Sequence, residues 1–156
     1  DHAAWLAVMV ARETPSEARA GRIHVVVART RETLAFARCA AVASGTATLE
    51  CAALGTPLVA VYRLATPSYW LAKRLVRLDR FALANIVAGE DVAPELLQSQ
   101  ANPARIAKEL FALWDEGPER ARALAGVSRV RGLLGGPGAS ARVAAIGAEL
   151  IGRSRA

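Results

Sequence analysis

Short apolar runs alternate along this chain with segments that favour helix, and this pattern allows few folds. Each run has five to seven residues and is rich in β-branched or small apolar side chains, which favours a strand over a helix. Strands separated by helical segments form parallel sheets, because a parallel connection needs a crossover. We therefore predict an α/β fold, a Rossmann-like parallel sheet with helices on both faces. The predicted strands are residues 23–28, 40–44, 57–63 and 81–87.

Helices are predicted between these runs and throughout the C-terminal part. Proline opens several of them, and Gly55 follows the last turn of one, positions at which these residues stabilise helix ends. Residues 3–11 are apolar and fit either a helix or a buried strand, and residues 135–138 (GGPG) are a linker. The predicted helices are residues 31–38, 46–54, 67–78, 93–99, 103–115, 118–134 and 140–152.

The composition is that of a folded domain. With 156 residues, 53% of them hydrophobic and 22% charged, the chain can bury a core and is not a largely disordered polypeptide. No apolar run approaches the ~20 residues needed to cross a bilayer, and no signal-peptide pattern is present. The chain opens at Asp1 without a methionine, so we expect a fragment of a longer protein.

The cysteines and histidines indicate neither a disulfide nor a metal site. Cys39 and Cys51 each lie in an apolar, alanine-rich stretch and form no CxxC pair, so free thiols are expected. His2 and His24 have no second ligand nearby in the sequence. Neither a metal nor a cofactor is therefore predicted.

Positive charge is concentrated in residues 63–80, which carry five cations against one acid, +4 of the net +6. Four side chains of this segment share one helical face, at offsets of 0, 3, 4 and 7. Such a helix suits a membrane surface, and an ordinary solvated helix is the alternative. No nucleic acid is expected, because no RRM, KH or zinc-finger motif occurs and aromatic residues are only 5%. The membrane-facing candidates are Trp70, Lys73, Arg74 and Arg77.

The stretch SGTATLE (44–50) is the segment most suited to binding a ligand. It ends a strand, turns at a glycine and opens a helix, whose N-terminus offers unpaired N–H groups to a phosphate. Ser44, Thr46 and Thr48 add hydroxyl donors. Glu50 lies one helical turn beyond Thr46, where a carboxylate can accept hydrogen bonds from a ribose diol. The alternative is an ordinary Ser/Thr helix cap with Glu50 on the surface.

Three blocks of the sequence keep the order and spacing of one known family. They are SGTATLECAALGTPLVAVYR (44–63), PSYWLAKRLVRL (67–78) and ANIVAGEDVAPELLQ (84–98). Together they resemble the C-terminal half of the lipid-A-disaccharide synthases. The resemblance implies the C-terminal lobe of a two-lobed GT-B glycosyltransferase, followed by C-terminal helices.

The same resemblance implies a division of the chain. Residues 1–22 match the family poorly, residues 23–116 form a Rossmann-like lobe that binds a nucleotide sugar, and residues 117–156 form the C-terminal helices. The resemblance also implies that the N-terminal acceptor lobe is absent from these residues. Because the general base is expected in that lobe, the catalytic residues are unknown and the chain alone is expected to be inactive.

The reaction implied by the resemblance is an inverting hexosyl transfer. The family joins UDP-2,3-diacylglucosamine, the donor, to 2,3-diacylglucosamine 1-phosphate, the acceptor, and releases UDP as lipid A disaccharide forms. No metal is expected. The implied location is cytoplasmic, peripheral on the inner membrane, and a second copy of the chain is a candidate partner in a homodimer.

The resemblance also implies which residues bind the donor. Side chains of the 44–50 turn would lie near the diphosphate, with Glu50 at the ribose. The remaining positions would line the cleft at the ends of the following elements. The complete implied set is Ser44, Gly45, Thr46, Thr48, Glu50, Tyr62, Arg63, Asn85 and Gln98.

Two positions depart from the family pattern. Ala84 stands where the family usually has proline. Glu90 and Asp91 follow an Ala-Gly pair where the family usually has arginine, which reverses a charge at the edge of the implied cleft. With Glu95 they form a small acidic group, which we interpret as a solvated loop.

Three other functions remain open from the sequence. The chain can be a non-catalytic module that binds a UDP-sugar or a membrane, or the donor lobe of another UDP-sugar GT-B transferase. A basic nucleic-acid binder is the third, and it predicts steeply salt-dependent binding to DNA or RNA without competition by UDP.

Overall fold

The structure, a computed structural model, describes residues 12–13, 16, 21–63 and 80–153. The helix predicted over 67–78 and the apolar run 3–11 lie outside these residues. The elements in chain order are α1 Thr30–Phe36, β1 Ala40–Ala43, α2 Thr46–Leu54, β2 Leu58–Tyr62, α3 Leu83–Ala88, β3 Glu95–Leu97, a 3₁₀ turn Gln98–Gln100, α4 Pro103–Trp114, α5 Pro118–Leu134 and α6 Ala139–Arg153.

The described strands form one parallel sheet in the order β1-β2-β3. Ala40 of β1 is opposite Leu58 of β2, and Tyr62 of β2 is opposite Leu97 of β3. The three strands therefore end along one edge, and the loops that follow them are brought together there. This is the edge at which ligands bind in open α/β sheets.

Strand β2 is buried and separates two apolar cores, because successive side chains of a strand point to opposite faces. Leu58 packs with side chains of α2, α3 and α5, whereas the neighbouring Val59 packs with side chains of β3, α4 and α5. Helices thus cover both faces of the sheet, and the predicted α/β fold is confirmed. The buried partners of Leu58 include Cys51, Ala52, Ala84, Ala88 and Val127, and those of Val59 are Leu96, Ala101, Leu113 and Ala123.

Helix ends follow the local sequence signals. Helix α2 ends at Gly55, whose φ of +80° is a left-handed conformation that glycine adopts without strain. Helix α4 begins at Pro103, and the side chain of Asn102 accepts a hydrogen bond from the backbone N–H of Arg105 at 3.0 Å. The boundaries predicted for α2, α4 and α5 are therefore confirmed to within a residue or two.

The strand predicted over residues 23–28 is absent, and residues 22–27 form no regular element. Their side chains are exposed, with Val26 at 53% and Val27 at 56%. A strand needs a neighbour to satisfy its backbone groups, and the described part of the chain places no strand beside this segment. Strand propensity alone is therefore not enough to make these residues a strand.

The elements predicted for residues 81–87 and 93–99 are both wrong, and in opposite ways. Residues 83–88 form helix α3 rather than a strand, and residues 95–97 form strand β3 rather than part of a helix. Strand β3 pairs with the free edge of β2, where the N–H of Ala60 already donates to the carbonyl of Pro94 at 2.9 Å. Tertiary pairing therefore overrides local propensity in this stretch.

Two glycines of helix α5 provide a matched test of its packing. A Cβ at Gly126 would lie 2.8 Å from Cβ and 3.3 Å from Cα of Val92, whereas a Cβ at Gly132 would meet nothing within 4 Å. We expect Gly126→Ala to lower the free energy of unfolding by about 1–2 kcal/mol, because overpacking exceeds the gain in helix propensity. Gly132→Ala should raise it by about 0.5–1 kcal/mol.

Urea unfolding followed by far-UV circular dichroism measures both changes. If Gly126→Ala and Gly132→Ala raised the free energy of unfolding equally, the close approach of α5 to Val92 would be contradicted.

Candidate functional site

The candidate site lies at the edge of the sheet where the strands end. Ser44 follows β1, Arg63 follows β2 and Gln98 follows β3, so three residues implied as donor contacts lie at corresponding ends of neighbouring strands. Arg63 is exposed, whereas Tyr62 and Gln98 are half-buried. Gln98 has a positive φ of +51°, an uncommon conformation for a residue other than glycine.

The N-terminus of helix α2 is uncapped by any side chain. Its N-cap is Gly45, with φ of +146°, a backbone conformation that residues with a Cβ rarely adopt. The N–H groups of a first helical turn point out along the helix axis at its positive dipole end. Glycine supplies no capping side chain, so the N–H groups of Thr46 and Ala47 can face an anion, whereas that of Thr48 donates to the carbonyl of Gly45 at 3.1 Å.

The hydroxyl groups around this turn divide into two kinds. Thr48 is buried, and its hydroxyl donates to the carbonyl of Gly45 at 2.8 Å and accepts from the N–H of Ala84 at 3.3 Å. The hydroxyl of Ser44 donates to the carbonyl of Phe81 at 3.0 Å. Thr48 and Ser44 therefore hold the turn against the start of α3 in this arrangement.

Two exposed side chains of α2 can meet a ligand directly. Thr46 occupies the first position of the helix and Glu50 lies four residues later on the same side, and both are exposed. A hydroxyl and a carboxylate one helical turn apart suit a phosphate and an adjoining diol, respectively. Among the polar side chains of the turn, Thr46 and Glu50 are therefore the ones that face solvent.

Asn85 is 1% exposed, and its amide group is bonded within the fold. Its Nδ2 donates to the carbonyl of Ala93 and to Oε1 of Glu95, each at 2.8 Å. Its Oδ1 accepts from the N–H groups of Val92 and Ala93, each at 3.0 Å. All the polar capacity of this side chain is used, so Asn85 fixes the loop before β3 and does not face a ligand in this arrangement.

Glu95 is a residue of this region that the sequence interpretation missed. Its carboxylate accepts from the backbone N–H groups of Phe81 and Ala82, each at 2.9 Å, as well as from Asn85. It lies half-buried rather than in a solvated acidic loop. No local sequence signal could have found it, because the two N–H groups that it binds belong to Phe81 and Ala82, more than ten residues earlier in the chain.

The acids at the family's arginine position are paired with arginines. Oδ1 of Asp91 accepts from Arg80 at 2.8 Å, and Oε1 of Glu90 accepts from Arg129 of α5 at 2.6 Å. Both pairs are well exposed, so each contributes little to stability. The reversed charge implied by the sequence is therefore neutralised locally by arginines of this chain.

Neither thiol is suited to nucleophilic chemistry at neutral pH. Cys51 is fully buried on α2, and burial raises its pKa to about 11, with a further contribution from the charge of Glu50. Burial also raises the pKa of the half-buried Cys39, although Arg120 and Arg38 oppose the shift. Both side chains are free of disulfides.

The described residues contain no group of three or more His, Cys, Asp or Glu side chains placed to hold a metal ion. Within the same part of the chain, none of the helices combines the length and apolar character required to cross a membrane.

Comparison with known proteins identifies the family. The model of the lipid-A-disaccharide synthetase family matches residues 11–135, which is most of the chain. This chain belongs to the lipid-A-disaccharide synthetase family. The match extends beyond the three sequence blocks in both directions, and the resemblance drawn from those blocks is confirmed. The parallel sheet between helix layers is consistent with a Rossmann-like lobe of the GT-B glycosyltransferases.

Individual relatives are much longer than this chain. A lipid-A-disaccharide synthase of Syntrophus aciditrophicus is 41% identical over 151 residues, which are 96% of this chain and 38% of that protein. One from Geobacter metallireducens is 43% identical over 138 residues, 87% of this chain and 36% of that protein. One from Koribacter versatilis is 48% identical over 101 residues, 65% of this chain and 26% of that protein. The chain therefore spans less than two fifths of these relatives.

The buried thiol of α2 predicts a pH dependence of stability. The unfolded thiol loses its proton near pH 9.0, whereas folded Cys51 keeps its proton to about pH 11. Below pH 9.0 this thiol therefore makes its full contribution to the free energy of unfolding. As the pH rises from 9.0 towards 11, that contribution falls by about 1.4 kcal/mol per pH unit. Urea unfolding at a series of pH values measures this slope.

Cys51→Ala is the matched variant, because it removes this titrating group and leaves every other ionisable side chain in place. Its stability should fall less steeply above pH 9.0 than that of the unmutated chain. If the free energy of unfolding fell with pH equally steeply in both proteins, the raised pKa of Cys51 would be contradicted.

Proposed function

We propose that this chain is the donor-binding lobe of a lipid-A-disaccharide synthase. The observation that supports this most strongly is the uncapped N-terminus of α2, which opens at Gly45 on the ligand-binding edge of a parallel sheet, in a chain of this family. Thr46 and Glu50 are exposed on the same helix, and Arg63 ends the neighbouring strand. Together these groups suit the diphosphate and ribose of a UDP-sugar.

The proposed reaction is an inverting transfer from UDP-2,3-diacylglucosamine to 2,3-diacylglucosamine 1-phosphate. The 6-hydroxyl of the acceptor forms a bond to the anomeric carbon of the donor, and the bond from that carbon to the diphosphate breaks. UDP leaves with the electron pair, and the hydroxyl proton passes to a general base. Catalysis requires that the negative charge developing on the diphosphate be stabilised.

In this proposal the chain stabilises that charge with groups it already presents. The N–H groups of the first turn of α2 and the guanidinium of Arg63 offset the charge of the leaving diphosphate. The carboxylate of Glu50 accepts hydrogen bonds from the ribose hydroxyls and so fixes the nucleotide in register. Ser44, Thr48 and Asn85 act indirectly, by holding the turn and the loop before β3.

The proposed lobe comprises residues 23–116, followed by the helices of residues 117–156. The acceptor site and the general base would belong to the other lobe, so the chain would bind the donor nucleotide without completing the transfer. Addition of a separately expressed N-terminal lobe would distinguish this proposal from a non-catalytic UDP-sugar-binding module, because only an enzyme would then form the disaccharide.

We expect the chain to bind UDP, and Glu50→Ala to weaken this binding about tenfold or more through loss of charge-assisted hydrogen bonds to the ribose. Titration calorimetry measures the dissociation constants. Glu119→Ala is the matched control, because Glu119 is likewise an exposed glutamate on a helix, α5, and its replacement should leave UDP affinity unchanged.

Two outcomes would count against this site. A folded chain with no detectable affinity for UDP would refute the proposed function. Equal losses in the Glu50 and Glu119 variants would indicate that general charge, rather than the α2 turn, attracts the nucleotide. Tighter binding of a different UDP-sugar than of the diacylglucosamine donor would favour another GT-B transferase.

We further propose that residues 63–80 attach the protein to the cytoplasmic surface of the inner membrane, where lipid substrates lie. The segment carries +4 of the net +6, and its four spaced side chains are Trp70, Lys73, Arg74 and Arg77. A cation near an anionic surface contributes about 1 kcal/mol to binding.

Replacing Lys73, Arg74 and Arg77 together by glutamine should weaken binding to phosphatidylglycerol vesicles by about a hundredfold. Vesicle co-sedimentation at a fixed salt concentration measures this. The matched control replaces three exposed arginines elsewhere, Arg31, Arg131 and Arg142, by glutamine. Similar losses in both triple variants would mean that net charge, not this segment, determines attachment.

A further inference from the structure

We propose that Glu95 is a positioning residue of the donor site, acting on Ser44 through the backbone of Phe81. The inference rests on the proposed function, because it concerns how the α2 turn is held ready for the nucleotide. Glu95 itself lies on β3 and is not one of the groups that would contact UDP.

The connection consists of two consecutive hydrogen-bond links. Oε2 of Glu95 accepts from the N–H of Phe81 at 2.9 Å, and Oε1 accepts from the N–H of Ala82 at 2.9 Å. The carbonyl of the same Phe81 accepts from the hydroxyl of Ser44 at 3.0 Å. The backbone of Phe81 is therefore bonded to the carboxylate of Glu95 through its N–H and to Ser44 of the donor-site turn through its carbonyl.

A carboxylate is well suited to this position. Helix α3 has only six residues, and its N-cap, Ala82, has no side chain able to accept a hydrogen bond. Glu95 accepts from the two backbone N–H groups just before this helix, those of Phe81 and Ala82, whereas the hydroxyl of Thr48 accepts from Ala84 in the first turn. Asn85 donates to Oε1 at 2.8 Å and so fixes the carboxylate in turn. Charge-assisted bonds of this kind are about twice as strong as neutral ones.

The start of α3 touches the donor-site turn at a second point. The N–H of Ala84 donates to the hydroxyl of Thr48, which itself donates to the carbonyl of Gly45. Displacement of the segment 81–84 would therefore disturb Ser44 and Thr48 together. These two residues lie on either side of the first N–H groups of α2, so the geometry offered to a diphosphate depends on Glu95.

A purely structural helix cap would differ from a positioning residue in one measurable respect. A cap would reduce stability and UDP affinity independently of Ser44. If Glu95 acts through Ser44, removing either side chain disconnects the same link, and removing both adds little. A double-mutant cycle separates the two cases.

The experiment measures UDP affinity by calorimetry for the unmutated chain, Glu95→Gln, Ser44→Ala and the double variant. Glutamine keeps the size of the side chain but places an amide where two N–H donors need an acceptor. We expect dissociation constants raised about tenfold by Glu95→Gln, about fivefold by Ser44→Ala, and about tenfold rather than fiftyfold by the double variant. Additive losses near fiftyfold would overturn the inference and leave the proposed function standing.

Two further measurements keep the result interpretable. Glu119→Gln removes an exposed carboxylate of α5. This variant should change neither the affinity for UDP nor the effect of Ser44→Ala on that affinity. The same double-mutant cycle, with urea unfolding as the measurement, tests the link between Glu95 and Ser44 without a ligand. Should the unmutated chain bind no UDP, the proposed function fails and the donor-site role of Glu95 fails with it. An additive unfolding cycle would then also exclude the conformational link.

Discussion

The burial of strand β2 on both faces is the constraint on which the rest of this structure depends. Leu58 and Val59 are adjacent in sequence and fully buried in different cores, so helices must cover both sides of the sheet. The register of β2 against its two neighbours then decides which residues follow the strands at the carboxyl edge of the sheet. The candidate site is therefore a consequence of how one five-residue strand is packed.

The site is held by hydrogen bonds that cross between elements rather than by side chains of one loop. Ser44 and Thr48 at the start of α2 bond to the backbone around the start of α3, which bonds in turn to Glu95 of β3. Helices α2 and α3 and strand β3 thus share one polar network. These hydrogen bonds fix the backbone at the start of α2 relative to α3 and β3.

The sequence predicted the fold class and the position of the α2 turn, because both rest on local signals. Strands β1 and β2 are short apolar runs bounded by turn residues, and α2 lies between a Ser-Gly-Thr start and Gly55. For α3 and β3 the local pattern predicts the opposite structures, because FALANIV and APELLQ carry no periodicity that separates a strand from a short helix. Their structures depend on pairing with β2 and on Glu95, which lies more than ten residues from the N–H groups of Phe81 and Ala82 that it binds. Local patterns also could not distinguish the hydroxyls of Ser44 and Thr48, bonded inward, from that of Thr46, which is exposed.

The raised pKa values of the two cysteines have a practical consequence for spectroscopy. Maleimide and iodoacetamide reagents attack thiolates, and Cys39 and Cys51 are both held towards the protonated form at neutral pH. A cysteine introduced at an exposed position, such as Glu119→Cys, would react much faster than either native thiol. The natural sequence therefore provides a low background for attaching a single fluorophore or spin label, without first replacing its own cysteines.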